Sequence, residues 1–181
     1  MEPLIENISD TARWVAVFRA DESERPDAVF HDPFARRLAG ERGVRIADAI
    51  EFSRQNSWSF VARTFSFDEV IKQHVALGYD TIVNLACGLD SRPYRMNLPA
   101  SLKWIEVDLP EMILHKASIL ENEKPKCELQ RIQLDLSDRK SRVELFKQIA
   151  RNSKQALIVC EGLIEYLDEE EAALFGKDLS A

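Results

Sequence analysis

The sequence predicts an α/β fold, with a mostly parallel sheet, helices on both faces and a helical cap at its N-terminal end. The first observation behind this prediction is a stripe of apolar residues at helical spacing, Trp14, Val17 and Phe18, which we expect to belong to the core. The second is a change of period after Asp80, where short apolar runs begin to alternate with helical segments, as they do in parallel sheets. The third is size, because 181 residues that are 45% hydrophobic suit a single globular domain.

The elements follow one another in a regular order along the chain. A compact helix is predicted from Asp32 to Gly40, because a capping carboxylate and a proline open this segment and a glycine closes it. The other predicted helices cover Phe60–Leu77, Glu111–Leu120 and Arg142–Ala150, and a last one begins near Glu169. The predicted strands are Thr81–Leu85, Leu102–Val107, Leu129–Leu134 and Ala156–Cys160.

The helical part and the α/β part are expected to pack together as one structural domain. Residues 1–79 are predicted to form the cap, and residues 80–181 the α/β core. No internal repeat and no linker rich in Pro, Gly and Ser separates them. Because the sequence ends soon after the fourth predicted strand, we also expect the sheet to be incomplete.

Charge and composition argue against several classes of partner. Asp and Glu number 31 against 24 Lys and Arg, and the resulting net charge of −7 argues against binding to nucleic acid. The acidic first ten residues lack the basic and apolar regions of a leader peptide. No apolar stretch reaches the roughly 18 residues that a membrane-spanning helix needs. The sequence therefore predicts a cytoplasmic protein whose partners are small molecules.

The cysteines and histidines do not form a pattern that indicates a metal site. Cys87, Cys127 and Cys160 contain no CxxC pair, and the three histidines lie far apart without a partner at ligand spacing. Two of the cysteines lie in or beside apolar runs, where cysteine usually behaves as a small hydrophobic residue. We therefore expect neither a disulfide framework nor a bound metal.

The most informative segment is the strand that ends at Leu85 and continues directly into Ala86, Cys87 and Gly88. Small residues at this position allow a ligand to approach the backbone. In open α/β sheets, ligands bind in the crevice outside the carboxyl ends of the strands. A single glycine after a strand is also typical of a plain turn, so this segment alone leaves both interpretations open.

Carboxylates follow the other three predicted strands. Asp108, twenty residues after Gly88, is placed to accept both hydroxyls of a ribose, with a helix N-cap as the alternative, and Glu106 could face the same cleft instead. Asp135 is placed to accept the exocyclic amine of an adenine, again with an N-cap as the alternative. Glu161 directly follows the fourth strand. Strands that each end in glycine or an acid predict a nucleoside site more strongly together than any one motif does.

Three segments resemble the leucine carboxyl methyltransferases and related bacterial class I methyltransferases. The run from Asn84 to Arg92 is similar to the family pattern Asn-Leu-Gly-x-Gly-x-Asp-(Ser/Thr)-Arg, with Ala86 where many members have glycine. Residues 106–110 match Glu-Val-Asp-(Leu/Phe)-Pro, and residues 161–167 are similar to Glu-Gly-Leu-x-x-Tyr-Leu. The resemblance spans nearly the whole chain.

The resemblance implies a Rossmann-like fold and an S-adenosylmethionine-dependent O-methyltransferase that methylates a carboxylate, or a phenolic hydroxyl, of a small molecule or peptide and releases S-adenosylhomocysteine. Arg63 is implied to hold the methionine carboxylate of the cofactor, with a solvated helix arginine as the alternative. Tyr166 is the candidate for orienting the acceptor, unless it only packs on the sheet. The cofactor-binding residues that the resemblance implies are Arg63, Ala86, Gly88, Asp90, Asp108, Asp135, Leu136 and Glu161.

Two other functions are compatible with parts of this pattern. A nicotinamide-dependent dehydrogenase also has glycine after its first strand and an acid after its second, but residues 86–91 lack the glycines of the GxGxxG fingerprint. A non-catalytic cofactor-binding or interaction module, derived from a truncated methyltransferase, is the other alternative, because family members continue beyond the point where this sequence ends. An incomplete sheet also predicts an exposed edge that favours homo-oligomers, and poor methyl transfer by the chain alone.

Overall fold

The computed structural model describes residues 5, 8–50 and 54–180 and shows three helices before the first strand. These are α1 (Ile8–Ser23), α2 (Ala35–Ala49) and α3 (Ser57–Ala76). The helices that follow are α4 (Arg92–Arg95), α5 (Pro110–Ile119), α6 (Arg139–Asn152) and α7 (Glu169–Leu179), with a 3-10 turn at Ile164–Tyr166. The strands are β1 (Thr81–Leu85), β2 (Lys103–Asp108), β3 (Glu128–Gln133) and β4 (Ala156–Cys160).

The four strands form one parallel sheet in the order β3-β2-β1-β4, so the predicted α/β fold with a parallel sheet is confirmed. The chain builds the sheet in one direction from β1 to β3 and then crosses back to place β4 on the other side of β1. In register, Leu85 lies opposite Val107 of β2 and Cys160 of β4. The carboxyl ends of the strands therefore meet along a single edge.

The strand predictions agree with the structure to within one residue at each end. β1 and β4 have the predicted bounds, and β2 and β3 are each displaced by one position. The displacement of β2 has a clear cause, because the carbonyl of Asp108 still accepts a hydrogen bond from the N–H of Leu134. Asp108 is therefore the last residue of the strand rather than the first of the loop.

The predicted compact helix differs from the structure at both ends. Asp32 accepts a hydrogen bond from the N–H of Phe34, but the prediction that it caps the helix is wrong, because the N-cap residue is Phe34 and no side chain caps the helix, which begins at Ala35. The helix also does not end at Gly40. At Gly40 the backbone turns to φ 61° and ψ 180°, and the helix then resumes as far as Ala49. Glycine tolerates this single left-handed residue, so the segment forms a kinked helix instead of two separate ones.

Hydrophobic clusters cover both faces of the sheet. One cluster packs α3 against the sheet through Ile71, Ile82 and Trp104, and another packs α6 and α7 through Leu145 and Phe175. Since helices pack on the two opposite faces, the sheet is covered as the fold class predicts. No helix within the described ranges is long and apolar enough to cross a membrane.

A third cluster joins the N-terminal helices to the α/β part. It includes Val17 of α1, Leu38 of α2, Tyr94 of α4 and Met112 of α5. The apolar stripe of α1 is therefore core at Val17 and Phe18, as predicted. Trp14 was expected to be core as well, but it is half-buried and borders a cavity.

Candidate functional site

A cavity of about 640 Å³ runs along the carboxyl edge of the sheet, between the strand ends and helices α1 and α3. It lies at the carboxyl ends of β1 and β4, between which the strand order reverses, and this is the topological switch point where open α/β sheets bind ligands. All of the site residues predicted from the sequence line it: Arg63, Ala86, Gly88, Asp90, Asp108, Asp135, Leu136, Glu161 and Tyr166. The structure thus brings together residues separated by up to about a hundred positions in the chain.

The turn after β1 has the conformation that its small residues permit. Ala86 and Gly88 both have positive φ, at 51° and 47°. The N–H of Gly88 donates a hydrogen bond of 2.7 Å to Oδ2 of Asp108, at the end of the neighbouring strand. The two predicted nucleoside-binding elements are therefore in direct contact, and Asp108 fixes the shape of the turn.

Asp108 does not cap the helix that follows it. Its Oδ1 accepts from the N–H of Leu109, which is itself the N-cap residue of α5, and no side-chain cap bond is present at that helix start. Burial raises the pKa of Asp108, and the hydrogen bonds from Gly88 and Leu109 offset only part of this effect. A further hydrogen-bond donor from a ligand in the cavity would stabilise this buried carboxylate.

Glu106, considered as an alternative to Asp108, lies away from the cavity. Its side chain is fully buried, with Oε1 at 2.5 Å from Nζ of Lys116 and Oε2 at 3.0 Å from Nε of Arg131. Arg131 also donates to the hydroxyl of Tyr94 at 2.6 Å. The expectation that Glu106 could face the cleft is wrong, because its carboxylate pairs with these two cations and does not line the cavity.

Asp90 is engaged by groups on both sides of the turn. Its carboxylate accepts from Nδ2 of Asn84 at 2.7 Å, and from the N–H and Nη1 of Arg92 at 2.8 Å each. Burial acts to raise the pKa of Asp90, but the positive charges led by Arg92 and Lys116 outweigh it and hold the pKa well below its usual range. Asp90 is thus ionised and is held in place by the protein itself.

Glu161, which follows β4, bridges two arginines. Its Oε1 accepts from Nε of Arg63 on α3 at 2.9 Å, and its Oε2 accepts from Nη1 of Arg92 at 3.1 Å. The guanidinium of Arg63 also lies over the ring of Phe60, 5.3 Å from its centre. Among the described residues no hydrogen bond is seen from the two terminal nitrogens of Arg63, which remain able to pair with a carboxylate.

Arg92 is a cavity-lining residue whose contacts the sequence interpretation did not predict. It is 3% exposed and connects both strand ends to α3, through Asp90, Glu161, Asp68 and the carbonyl of Thr64. Burial acts to lower its pKa, but the three carboxylates raise it, so the guanidinium stays charged. The available signal was its place at the end of the Asn84–Arg92 motif, which gave no indication of partners on α3.

The end of β3 presents a more open part of the cavity wall. Asp135 is exposed and uses Oδ1 to accept from the N–H of Ser137 at 2.9 Å. The N-cap of α6 is Asp138, whose side chain accepts from the N–H groups of Lys140 and Ser141. Asp135 is therefore not the helix cap. Only its Oδ1 is used in the hydrogen bond to Ser137. Leu136 beside it is 8% exposed and supplies apolar surface.

Tyr166 lies in the 3-10 turn after β4, at the other end of the cavity. Its hydroxyl donates to Oγ1 of Thr11 on α1 at 3.1 Å, and 48% of the residue is exposed. Tyr166 also lines the cavity, and its hydrogen bond connects the segment after β4 to the first helix.

Cys87 is a cysteine that borders this cavity. Cys87, Cys127 and Cys160 are free, and burial raises the pKa of each thiol. In residues 5, 8–50 and 54–180, no three His, Cys, Asp or Glu side chains are arranged to hold a metal ion.

Comparison with known proteins identifies the family. The leucine carboxyl methyltransferase family model matches residues 12–177. The chain belongs to this family. The match runs from α1 into α7, so it includes both the helices and the strand ends that border the cavity. The resemblance predicted from the three sequence segments is confirmed.

The relatives of this member of the leucine carboxyl methyltransferase family have names that agree with one another. A protein of Streptomyces coelicolor is 33% identical over 91% of the chain and 61% of its own length, and one of Frankia alni is 34% identical over 90% and 60%. A protein of Streptomyces avermitilis is 31% identical over 94% and 64%. All three are named as S-adenosyl-L-methionine-dependent methyltransferases. The chain spans about three fifths of the length of these relatives.

Proposed function

We propose that the chain binds S-adenosylmethionine along the carboxyl edge of its sheet and is the cofactor-binding part of an O-methyltransferase. Its acceptor is a carboxylate, or a phenolic hydroxyl, of a small molecule or peptide. The observation that carries this proposal is the convergence of Gly88, Asp108, Asp135 and Glu161 on one cavity at the switch point of the sheet. Membership of the leucine carboxyl methyltransferase family supports it.

The cavity suits the cofactor in size and in the chemistry of its walls. A volume of about 640 Å³ lies within the range of roughly 300–1,000 Å³ found for small-molecule sites. The carboxylates of Asp108 and Asp135 line it and can accept hydrogen bonds from hydroxyl and amine groups of the cofactor. The guanidinium of Arg63 can pair with its anionic group. Glycine suits position 88 because its φ is 47° and because it adds no side chain to the turn that lines the cavity.

Each predicted residue has a definite task in this arrangement. Asp108 accepts hydrogen bonds from the ribose hydroxyls, and Asp135 accepts one from the adenine amine while Leu136 contacts the ring. Arg63 pairs with the methionine carboxylate, and Glu161 orients Arg63. The turn residues, Ala86, Gly88 and Asp90, shape the backbone against which the cofactor lies.

The bound cofactor supplies a methyl group on a positively charged sulfur, which an acceptor oxygen attacks as the carbon–sulfur bond breaks and its electron pair passes to sulfur. An ionised carboxylate has no proton to lose, so this chain needs no dedicated base for that acceptor. Its contribution is positioning and exclusion of water. Tyr166 is the candidate for orienting the acceptor, because it lines the cavity and carries a hydroxyl.

Calorimetric titration with S-adenosylhomocysteine tests cofactor binding. Asp108→Asn should weaken binding by roughly tenfold or more, because a charge-assisted hydrogen bond contributes about 1.5–3 kcal/mol. The matched control is Asp138→Asn, since Asp138 caps α6 outside the cavity lining and asparagine is an equally good cap. An Asp108→Asn affinity equal to wild type would show that the ribose assignment is wrong.

Transfer of a labelled methyl group tests the reaction class. A methyl ester formed on a carboxylate releases methanol in alkali, whereas a phenolic methyl ether keeps its label. Alkali-labile product therefore identifies a carboxylate acceptor. Binding of the cofactor without transfer to any oxygen acceptor would favour the alternative, a non-catalytic cofactor-binding module.

Cytoplasmic location, the absence of nucleic-acid partners and homo-oligomerisation through the sheet edge stay predictions.

A further inference from the structure

Two arginines of α6 bind the same carboxylate of α7. Arg139 and Arg142 are three residues apart, so their side chains lie on the same side of the helix. Arg139 donates to the carboxylate of Asp178 at 2.9–3.1 Å, and Nη2 of Arg142 donates to it at 2.5 Å. The side chain of Arg139 is 58% exposed, whereas that of Arg142 is 5% exposed. The two arginines therefore share a partner and differ in their surroundings.

Arg142 makes two further contacts, both with residues that line the cavity. Its Nη1 donates to the carbonyl oxygen of Leu136 at 2.6 Å, and its guanidinium lies over the ring of Phe175, 5.1 Å from the ring centre. Leu136 and Phe175 belong to one hydrophobic cluster and both border the cavity. Arg142 does not line the cavity. It therefore acts on the cavity wall only through its neighbours.

The carbonyl that Arg142 holds belongs to the loop where adenine is proposed to bind. In this loop the N–H of Asp138 donates to the carbonyl of Asp135 at 3.0 Å, and the N–H of Ser137 donates to the side chain of Asp135 at 2.9 Å. The carbonyl of Leu136 and the N–H of Ser137 are the two ends of one planar peptide group. The bond from Arg142 and the bond to Asp135 therefore depend on the same orientation of that group.

Loss of Arg142 would disturb this peptide group. A buried carbonyl without a donor is unfavourable, so we expect the carbonyl of Leu136 to turn toward water when Arg142 is replaced. The same rotation turns the N–H of Ser137 away from Asp135. The carboxylate that is proposed to accept the adenine amine then loses the hydrogen bond that orients it.

We propose that Arg142 is a positioning residue for the adenine part of the cofactor, because it fixes the peptide group that orients Asp135. This inference rests on the proposed function, since it concerns the same cofactor cavity. Arg142 touches no ligand itself. Selectivity for the base of the cofactor therefore depends on Arg142, in addition to any effect of this residue on stability.

Calorimetric titration with two ligands tests the inference. S-adenosylhomocysteine is compared with S-inosylhomocysteine, in which a carbonyl oxygen replaces the exocyclic amine of the base. The wild-type chain should bind S-adenosylhomocysteine at least about tenfold more tightly, because Asp135 can accept a hydrogen bond from the amine but not from the carbonyl oxygen. Equal affinities would show that the amine is not recognised and would overturn the inference.

Matched variants assign the selectivity to Arg142. Arg142→Gln should lower the ratio of the two affinities by about threefold or more, because the loop carbonyl loses its charged donor. Arg142→Lys should lower it by about twofold, because an ammonium cannot hold Leu136 and Asp178 with the fixed fork of a guanidinium. Arg139→Gln is the control and should keep the wild-type ratio, since Arg139 binds Asp178 without a hydrogen bond to the loop carbonyl.

The affinity ratio separates positioning from stability. A partly folded variant binds both ligands more weakly by the same factor, so lost stability alone leaves the ratio unchanged. A wild-type ratio in Arg142→Gln, or in Arg142→Lys if the glutamine variant does not fold, would overturn the positioning role. An equal fall in Arg139→Gln would overturn it as well. If the wild-type chain binds neither ligand, the proposed function fails and this inference fails with it.

The two proposals fail in different ways. Binding of S-adenosylhomocysteine by the wild-type chain, with its ratio retained in the Arg142 variants, would contradict this inference alone.

Discussion

Ala86 occupies a backbone conformation that its side chain disfavours. Its φ of 51° makes it the non-glycine residue with positive φ in the described part of the chain. A left-handed conformation costs an L-residue about 1–2 kcal/mol, whereas glycine adopts it freely but loses about 0.4–1 kcal/mol through its more flexible unfolded state. From the sequence alone, alanine appeared adequate because it is small. The structure shows that backbone conformation, in addition to size, decides this position.

Ala86→Gly should therefore stabilise the protein by about 0.5–1 kcal/mol, because release of backbone strain exceeds the added unfolded-state entropy. Chemical denaturation measures the free energy of unfolding. The matched control is Ala62→Gly on the exposed face of α3, which should destabilise by about 1 kcal/mol. The same substitution then has opposite signs at the two positions. A loss of stability at position 86 as large as at position 62 would contradict the strain argument.

The proposed role of Arg63 depends on the two terminal nitrogens of its guanidinium, because its Nε is already paired with Glu161. Removal of the cofactor's carboxylate should weaken binding to wild type, and Arg63→Ala should weaken binding of the intact cofactor by a similar factor. The variant should no longer discriminate between the intact and the decarboxylated compound, because either change removes the same interaction. Competition titrations with both ligands measure this coupling.

Arg45→Ala is the control for this cycle, because the Arg45 side chain is 68% exposed on α2 and lies outside the cavity lining. It should discriminate as wild type does. Equal discrimination by wild type and Arg63→Ala would remove Arg63 from the cofactor site.

At the level of elements, the close packing of α1 against α2 depends on a glycine, Gly43 of α2. A Cβ added to Gly43 would lie 2.8 Å from the carbonyl oxygen of Arg13, so the two helix backbones approach closely at this point. Gly43→Ala should destabilise the protein by about 1–3 kcal/mol through overpacking, although alanine is the better helix former. Gly176→Ala on α7 has nothing within 4 Å of the added Cβ and should instead stabilise by about 1 kcal/mol. Thermal and chemical denaturation of both variants measure the difference.

β1 and β4 were predictable because each is a short, mostly apolar run, as at Thr81–Leu85. The kink at Gly40 was not, since a glycine that closes one helical turn can equally be followed by a further helix, and the burial of Ile46 and Ala47 decides the outcome. Glu106 was misplaced for a related reason. Its position on β2 gave no indication that Lys116 and Arg131, from other elements, would enclose it.

At the scale of the whole molecule, the parallel sheet followed from alternating strands and helices, but the strand order did not. The order β3-β2-β1-β4 places the switch point beside β1, and this is why Gly88 and Glu161 belong to one cavity. The contacts of Arg92 with Asp68, and of Phe60 with Phe18, depend on α3 packing against both the strand ends and α1. Contacts between residues so distant in sequence have no local signature.

Hydrogen exchange with and without saturating S-adenosylhomocysteine tests the central claim that one cofactor lies across all the strand ends. We expect slower amide exchange in residues 86–90, 108–109, 135–137 and 161–163, which follow the successive strands at the cavity. Residues 145–152 of α6, which approach the opposite edge of the sheet near Lys103, should be unchanged. Protection confined to a single strand end, or absent from all of them, would contradict the site described here.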